Sequence, residues 1–72
     1  MSAHSIRIRL DELLADKNMT LAELSRRTGI STVNLSSLKN HHGKAIRFTT
    51  LDAICEALSC EPGDLITREI AQ

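Results

Sequence analysis

Seventy-two residues, 42% of them hydrophobic, suit one small domain, marginal for a lone core and commonly helped by dimerisation. No apolar run approaches the ~20 residues of a membrane span, and residues 1–5 (MSAHS) carry no secretory signal, so the expected location is the cytoplasm. Phe48 is the only aromatic residue, which leaves no basis for the base stacking used by single-stranded nucleic-acid modules.

Nine cations and nine acids cancel, which at first argues against a polyanionic partner. Their order along the chain points the other way. From Leu24 to Leu51 stand Arg26, Arg27, Lys39, Lys44 and Arg47, with His41 and His42 and no acidic residue. The acids lie on either side, from Asp11 to Glu23 and from Asp52 to Glu69. A basic stretch so isolated is the footprint expected for phosphate contacts.

In chain order, Ile6-Arg7-Ile8-Arg9-Leu10 alternates apolar and basic residues, the period of a half-buried strand, with a helix from Ile6 as the alternative. From Leu10 the period changes. Leu10, Leu13 and Leu14 share one helical face, and Asp11 and Glu12 suit a helix start, so the first helix is expected over about Leu10 to Lys17. Thr20, with Glu23 three residues on, has the spacing of a capping box. Leu21 and Leu24 recur at one-turn spacing, and Gly29 suits a chain reversal.

Ser31 then caps a further helix with Leu35 and Leu38 as its apolar stripe. Helix, short glycine-containing turn, helix over residues 20–40 is the layout of a helix-turn-helix. At about 100° per residue, Val33, Ser37 and Asn40 point away from that stripe, with Thr32 and Ser36 on the flanks. A short, uncharged, hydrogen-bonding face of this kind fits a groove and reaches base edges. An amphipathic hairpin with a polar outer face has the same pattern.

Asn40 to Phe48 reads as a loop. Thr49 or Thr50 is the expected cap of the next helix, in which Leu51, Ile54, Cys55 and Leu58 form the buried stripe. Pro62 opens a short last helix through about Leu65, with Glu61 as its cap. The tail from Ile66 to Ile70 alternates again and is expected to pair with Ile6 to Arg9 in a two-stranded ribbon, Glu69 offsetting Arg7 or Arg9.

Other chemistry is sparse. Cys55 and Cys60 lack the second pair that a zinc site needs, and a disulfide is disfavoured in the cytosol. His41-His42 could join a metal site with an acid, but adjacent loop histidines are more often solvated or on phosphate. No catalytic set converges, and a helical domain of this size leaves little room for a pocket. Neither an enzyme nor a cofactor is expected.

With five helical segments in place, Leu10 to Ile66 resembles the Cro and phage-repressor type of helix-turn-helix domain, the Xre family. The resemblance rests on the series Leu24, Ser25, Gly29, Ile30, Leu35 and Leu38, on Leu38-Lys39-Asn40 before a Gly-Lys loop, and on the closing run LDAICEALSCEPGDLI. It implies an all-α, five-helix lambda-repressor-like fold in a single domain spanning residues 1–72, with the terminal ribbon added. The stretch KAIRFTTLDAIC and the ending CEPGDL look like a small bacterial subgroup of short, stand-alone regulators.

By position, the resemblance places Thr32, Val33, Ser36 and Ser37 where the family contacts bases. It places Asn40, Lys44 and Arg47 where the family contacts phosphate, and the helix start at Thr20 against the DNA backbone. Ser31, Arg26, Arg27 and Lys39 complete the expected phosphate set from the basic stretch and the second cap. Leu21 departs from the family's frequent glutamine, removing one contact, and Ser25 replaces its usual alanine. A valine opposite the core stripe suits a thymine methyl; packing against a neighbouring segment is the alternative.

The expected function is sequence-specific binding of double-stranded DNA in the major groove, as a repressor that acts by occupying its site. A homodimer on half-sites about one turn (~34 Å) apart is implied. The rival reading is an antitoxin-like or adaptor module that holds a protein partner, which should expose a cluster of apolar residues.

Overall fold

The computed structural model describes residues 6–40 and 45–68. Strand β1 (Ile6–Ile8) leads into five helices: α1 (Leu10–Asp16), α2 (Leu21–Thr28), α3 (Thr32–Lys39), α4 (Phe48–Leu58) and α5 (Pro62–Leu65). Strand β2 (Ile66–Arg68) follows. β1 and β2 pair antiparallel in the register Ile6 with Arg68, Arg7 with Thr67 and Ile8 with Ile66. The alternating ends therefore form the expected ribbon, and β1 is a strand rather than the first turn of a helix. Glu69 lies outside the described residues. Glu12 takes both arginines, Arg9 at 2.7 Å and Arg7 at 3.6 Å.

The core is aliphatic. Leu10, Leu13 and Leu14 from α1 meet Leu24 of α2, Leu35 of α3, Ile54, Cys55 and Leu58 of α4, and Leu65 of α5. α2 packs on both α3 and α4, while α1 reaches α3. Leu24 and Leu35, the central residues of the helical pair, are fully buried. The one-turn spacing of the leucines in the sequence is thus the spacing that turns them to the same interior.

Helix boundaries follow local hydrogen bonding where a cap is present. Thr20 Oγ1 accepts from Glu23 N–H at 3.1 Å, and Ser31 Oγ accepts from Asn34 N–H at 3.1 Å. The return half of the expected capping box does not form at α2, because the Glu23 carboxylate bonds Arg26 and Arg27 instead. At α5, Asp64 accepts from Glu61 N–H at 3.0 Å, with Pro62 in the first turn.

The start of α4 is a correction. Neither Thr49 nor Thr50 caps it; the helix begins two or three residues earlier than those caps would start it, at Phe48, after an extended Arg47 with no side-chain cap bond. Leu51 N–H bonds the Arg47 carbonyl at 3.0 Å, so an extended backbone at Arg47 sets the boundary without help from a hydroxyl.

Two helices end by the same device. Asn18 (φ 53) and Ser59 (φ 51) adopt the left-handed conformation after α1 and α4. At α1, Met19 N–H reaches the Leu14 carbonyl at 2.9 Å and Asn18 N–H that of Ala15 at 3.2 Å. At α4, Cys60 N–H reaches the Cys55 carbonyl at 3.0 Å and Ser59 N–H that of Glu56 at 3.3 Å. Both are Schellman closures.

Candidate nucleic-acid interface

The turn between α2 and α3 is held by side chains of α2. Gly29 sits at φ 75 and donates its N–H to the Ser25 carbonyl at 2.8 Å. That backbone conformation is open to glycine at little steric cost. Ser25 Oγ donates to the Ile30 carbonyl at 2.6 Å, and Thr28 Oγ1 donates to the Leu24 carbonyl at 2.8 Å while accepting from Ile30 N–H at 3.2 Å. The serine at the position where the family carries alanine thus ties the turn to α2. The bond joins α2 to the residue just before the Ser31 cap of α3.

α3 presents its outer face to solvent. Thr32, Val33 and Asn34 are exposed, Ser36 and Ser37 are half-buried, and Leu35 faces the core. Val33 is 76% exposed, so it is not packed under any neighbouring segment of the described residues. Asn34 is a member of this face that the sequence reading misses. It lies about 100° from Leu35, on the side away from Ser36, and the helical wheel carries that signal. Asn40 N–H closes the helix on the Ser36 carbonyl at 3.0 Å, and its Nδ2 reaches Ser36 Oγ at 3.4 Å. Ser36 and Asn40 therefore form a local pair at the helix end.

Beside α3 runs an open groove of about 470 Å³ lined by Asn34, Ser37 and Leu38 on one wall and by Ile46, Arg47 and Thr50 on the other. The fold thereby brings exposed Arg47 to the side of α3, although ten residues separate it from Ser37 in sequence. Lys39 is half-buried in the last turn of α3. Lys44, His41 and His42 lie outside the described residues.

Arg26 and Arg27 are both exposed, and both are ion-paired to Glu23, Arg27 at 2.7 Å. The Arg27 hydrogen bond is the main cause that holds the Glu23 carboxyl below its ordinary range, with the charges of both arginines adding to it. One carboxylate shared by two guanidiniums leaves the start of the basic stretch net positive. Thr20 and Ser31 use their oxygens as acceptors for helix amides. Their hydroxyl protons remain available to a phosphate oxygen.

No helix of the described residues is long and apolar enough to cross a membrane. Among the described residues no group of three His, Cys, Asp or Glu side chains is placed to hold a metal ion.

A glycine-turned helical pair, with its second helix outward and a basic margin, defines a helix-turn-helix DNA-binding domain. Residues 9–70 match the family model of the Cro/C1-type HTH DNA-binding domain, and the chain belongs to that family. It is 53% identical over 62 residues to a Bacillus subtilis (strain 168) protein named as an uncharacterized HTH-type transcriptional regulator, YozG. The match covers 86% of this chain and 74% of that one. Among solved structures it is similar to the transcriptional regulator VanUg, with a TM-score of 0.74 and 29% identity, over 99% of this chain and 93% of that one.

Proposed function

We propose that this chain is a cytoplasmic transcriptional repressor that reads double-stranded DNA by inserting α3 into the major groove. The observation that carries the reading is Val33, 76% exposed on the helix that fully buried Leu35 anchors in the core. An apolar side chain so placed, between uncharged hydrogen-bonding neighbours, matches the mixture of methyl and donor or acceptor groups on base edges. Thr32, Val33, Ser36 and Ser37 form the base-facing set. Thr20, Ser31, Lys39, Asn40, Lys44 and Arg47 serve the backbone, and Arg26 and Arg27 do so while shared with Glu23. Short side chains give few strong contacts, so DNA shape and ordered water contribute to specificity. A homodimer on two half-sites supplies the rest.

The test is fluorescence anisotropy against DNA selected from the upstream regions of the host, at two salt concentrations, beside a variant with Lys39, Lys44 and Arg47 changed to alanine. Preferred sites, steep loss of affinity with salt and a shallower salt slope in the variant support the reading. Weak binding with no sequence preference, unchanged in the variant, overturns it.

One observation favours a protein-binding module as a second reading. Phe48 is 86% exposed beside half-buried Leu51, on a groove of about 580 Å³ shared with Asp52, Glu56 and Pro62. Under that reading, Phe48→Ser abolishes capture of a protein partner and leaves any DNA affinity unchanged.

A further inference from the structure

The Schellman closure brings the side chains two residues past the helix and three residues before its end into contact, and that pair is usually apolar. At the end of α1 the pair is Leu14 and Met19, an ordinary apolar contact. At the end of α4 the same backbone bonds place Cys60 on Cys55. Left-handed Ser59 holds the turn, and both cysteines line the groove beside Phe48. Cys55 is buried and Cys60 is half-buried, so the two thiols differ in access to solvent while sharing one groove and one backbone closure.

We propose that Cys55 and Cys60 form a reversible dithiol that a small-molecule disulfide oxidises to an intrachain disulfide. The thiolate of Cys60, the accessible partner, attacks one sulfur of the small disulfide. A mixed disulfide forms on Cys60 and one thiolate leaves. The Cys55 thiol gives its proton to solvent and its sulfur attacks the Cys60 sulfur, expelling the second thiolate. Two protein thiols are oxidised by two electrons, and the small disulfide is reduced to two thiols.

Burial, and then the charge and hydrogen bond of Cys60, push the Cys55 thiol up to about 11. Cys55 therefore does not start the exchange. Once Cys60 is in a mixed disulfide, its hydrogen bond no longer holds the Cys55 proton, whereas burial still does, so the second step is the harder of the two. A site of this kind rests open in a reducing compartment and closes when the thiol pool is oxidised, the transient use of disulfides found in such compartments.

The experiment equilibrates the full chain with oxidised and reduced glutathione, with and without denaturing urea, and reads thiol content and intact mass. Native protein is expected to lose two thiols and two hydrogens without gaining glutathione, and to recover both with reductant. Its closure constant is expected to exceed that of the denatured chain by about ten-fold or more, because the fold raises the effective concentration of the two sulfurs. Cys55→Ser is expected to stop with glutathione on Cys60, and Cys60→Ser to stay unmodified. Equal or weaker closure in the native chain overturns the proposal, as does disulfide only between chains. So does equal glutathione uptake by Cys60→Ser.

Discussion

Val33 leaves an apolar side chain in water opposite the residue that anchors its own helix. The fold of the single chain leaves it 76% exposed, so its value has to be judged against what α3 meets. Replacing Val33 with serine shortens the side chain and removes the methyl contact. On the proposed reading it costs about 1–3 kcal/mol of DNA affinity at a thymine position, and far less where another base replaces that thymine. Binding titrations on site variants check this, and a uniform loss across all sequences would remove thymine recognition from the account. Ser25 is a different kind of residue. Its hydroxyl bonds a carbonyl in the turn, and so on the proposed reading it acts on DNA only through the placement of α3.

Helix ends decide more of this fold than helix interiors. The interiors are short, seven, eight, eight, eleven and four residues, and helices of that length are marginal alone. Caps and tertiary packing therefore hold them. Ser59 is the least comfortable of the ends, because a serine side chain in the left-handed region is strained. Ser59→Gly relieves that strain and is expected to raise unfolding free energy by about 1 kcal/mol. Urea denaturation is the check, and a loss of stability would mean that the Ser59 side chain makes a compensating contact. Because the backbone closure is retained, the contact of Cys55 with Cys60 should be unaffected by the change.

Across the whole molecule, ionisable groups tie stability to pH from both sides. The carboxylates of exposed Glu12 and half-buried Glu23 are held low by arginines. The stability they confer is present above the ordinary carboxylate range and fades as pH falls through their lowered values. Cys55 works at the opposite end. Its ordinary value of 9.0 is raised to about 11, chiefly by burial. Its contribution is complete below pH 9 and is lost as pH rises from there through about 11. Thermal stability should fall over that window in the native sequence and fall less in Cys55→Ala. A matching decline in both proteins would remove Cys55 from the account.

Much of the candidate interface is legible in the sequence alone. Thr20, Ser31 and Gly29 mark the helical pair, Leu24 and Leu35 mark its inner face, and the acid-free stretch marks its electrostatic character. Each is a local fact, set by bonds and angles within about one helical turn. The two ends are also readable as a ribbon, since alternation at both termini leaves one common face. What the sequence does not decide lies further apart. α4 begins at Phe48 and not at a threonine, because the backbone entering at Arg47 is fixed by where α4 packs on α2. The same packing sets Arg47 beside Asn34 and leaves Phe48 in solvent. Cys55 meets Cys60 because Ser59 turns left-handed to send the chain into α5, a backbone choice that serine does not announce. Local capping and periodicity determined which segments are helices and which faces are apolar. Long-range packing, which alone selects among the conformations each loop allows, decided which side chains share a groove.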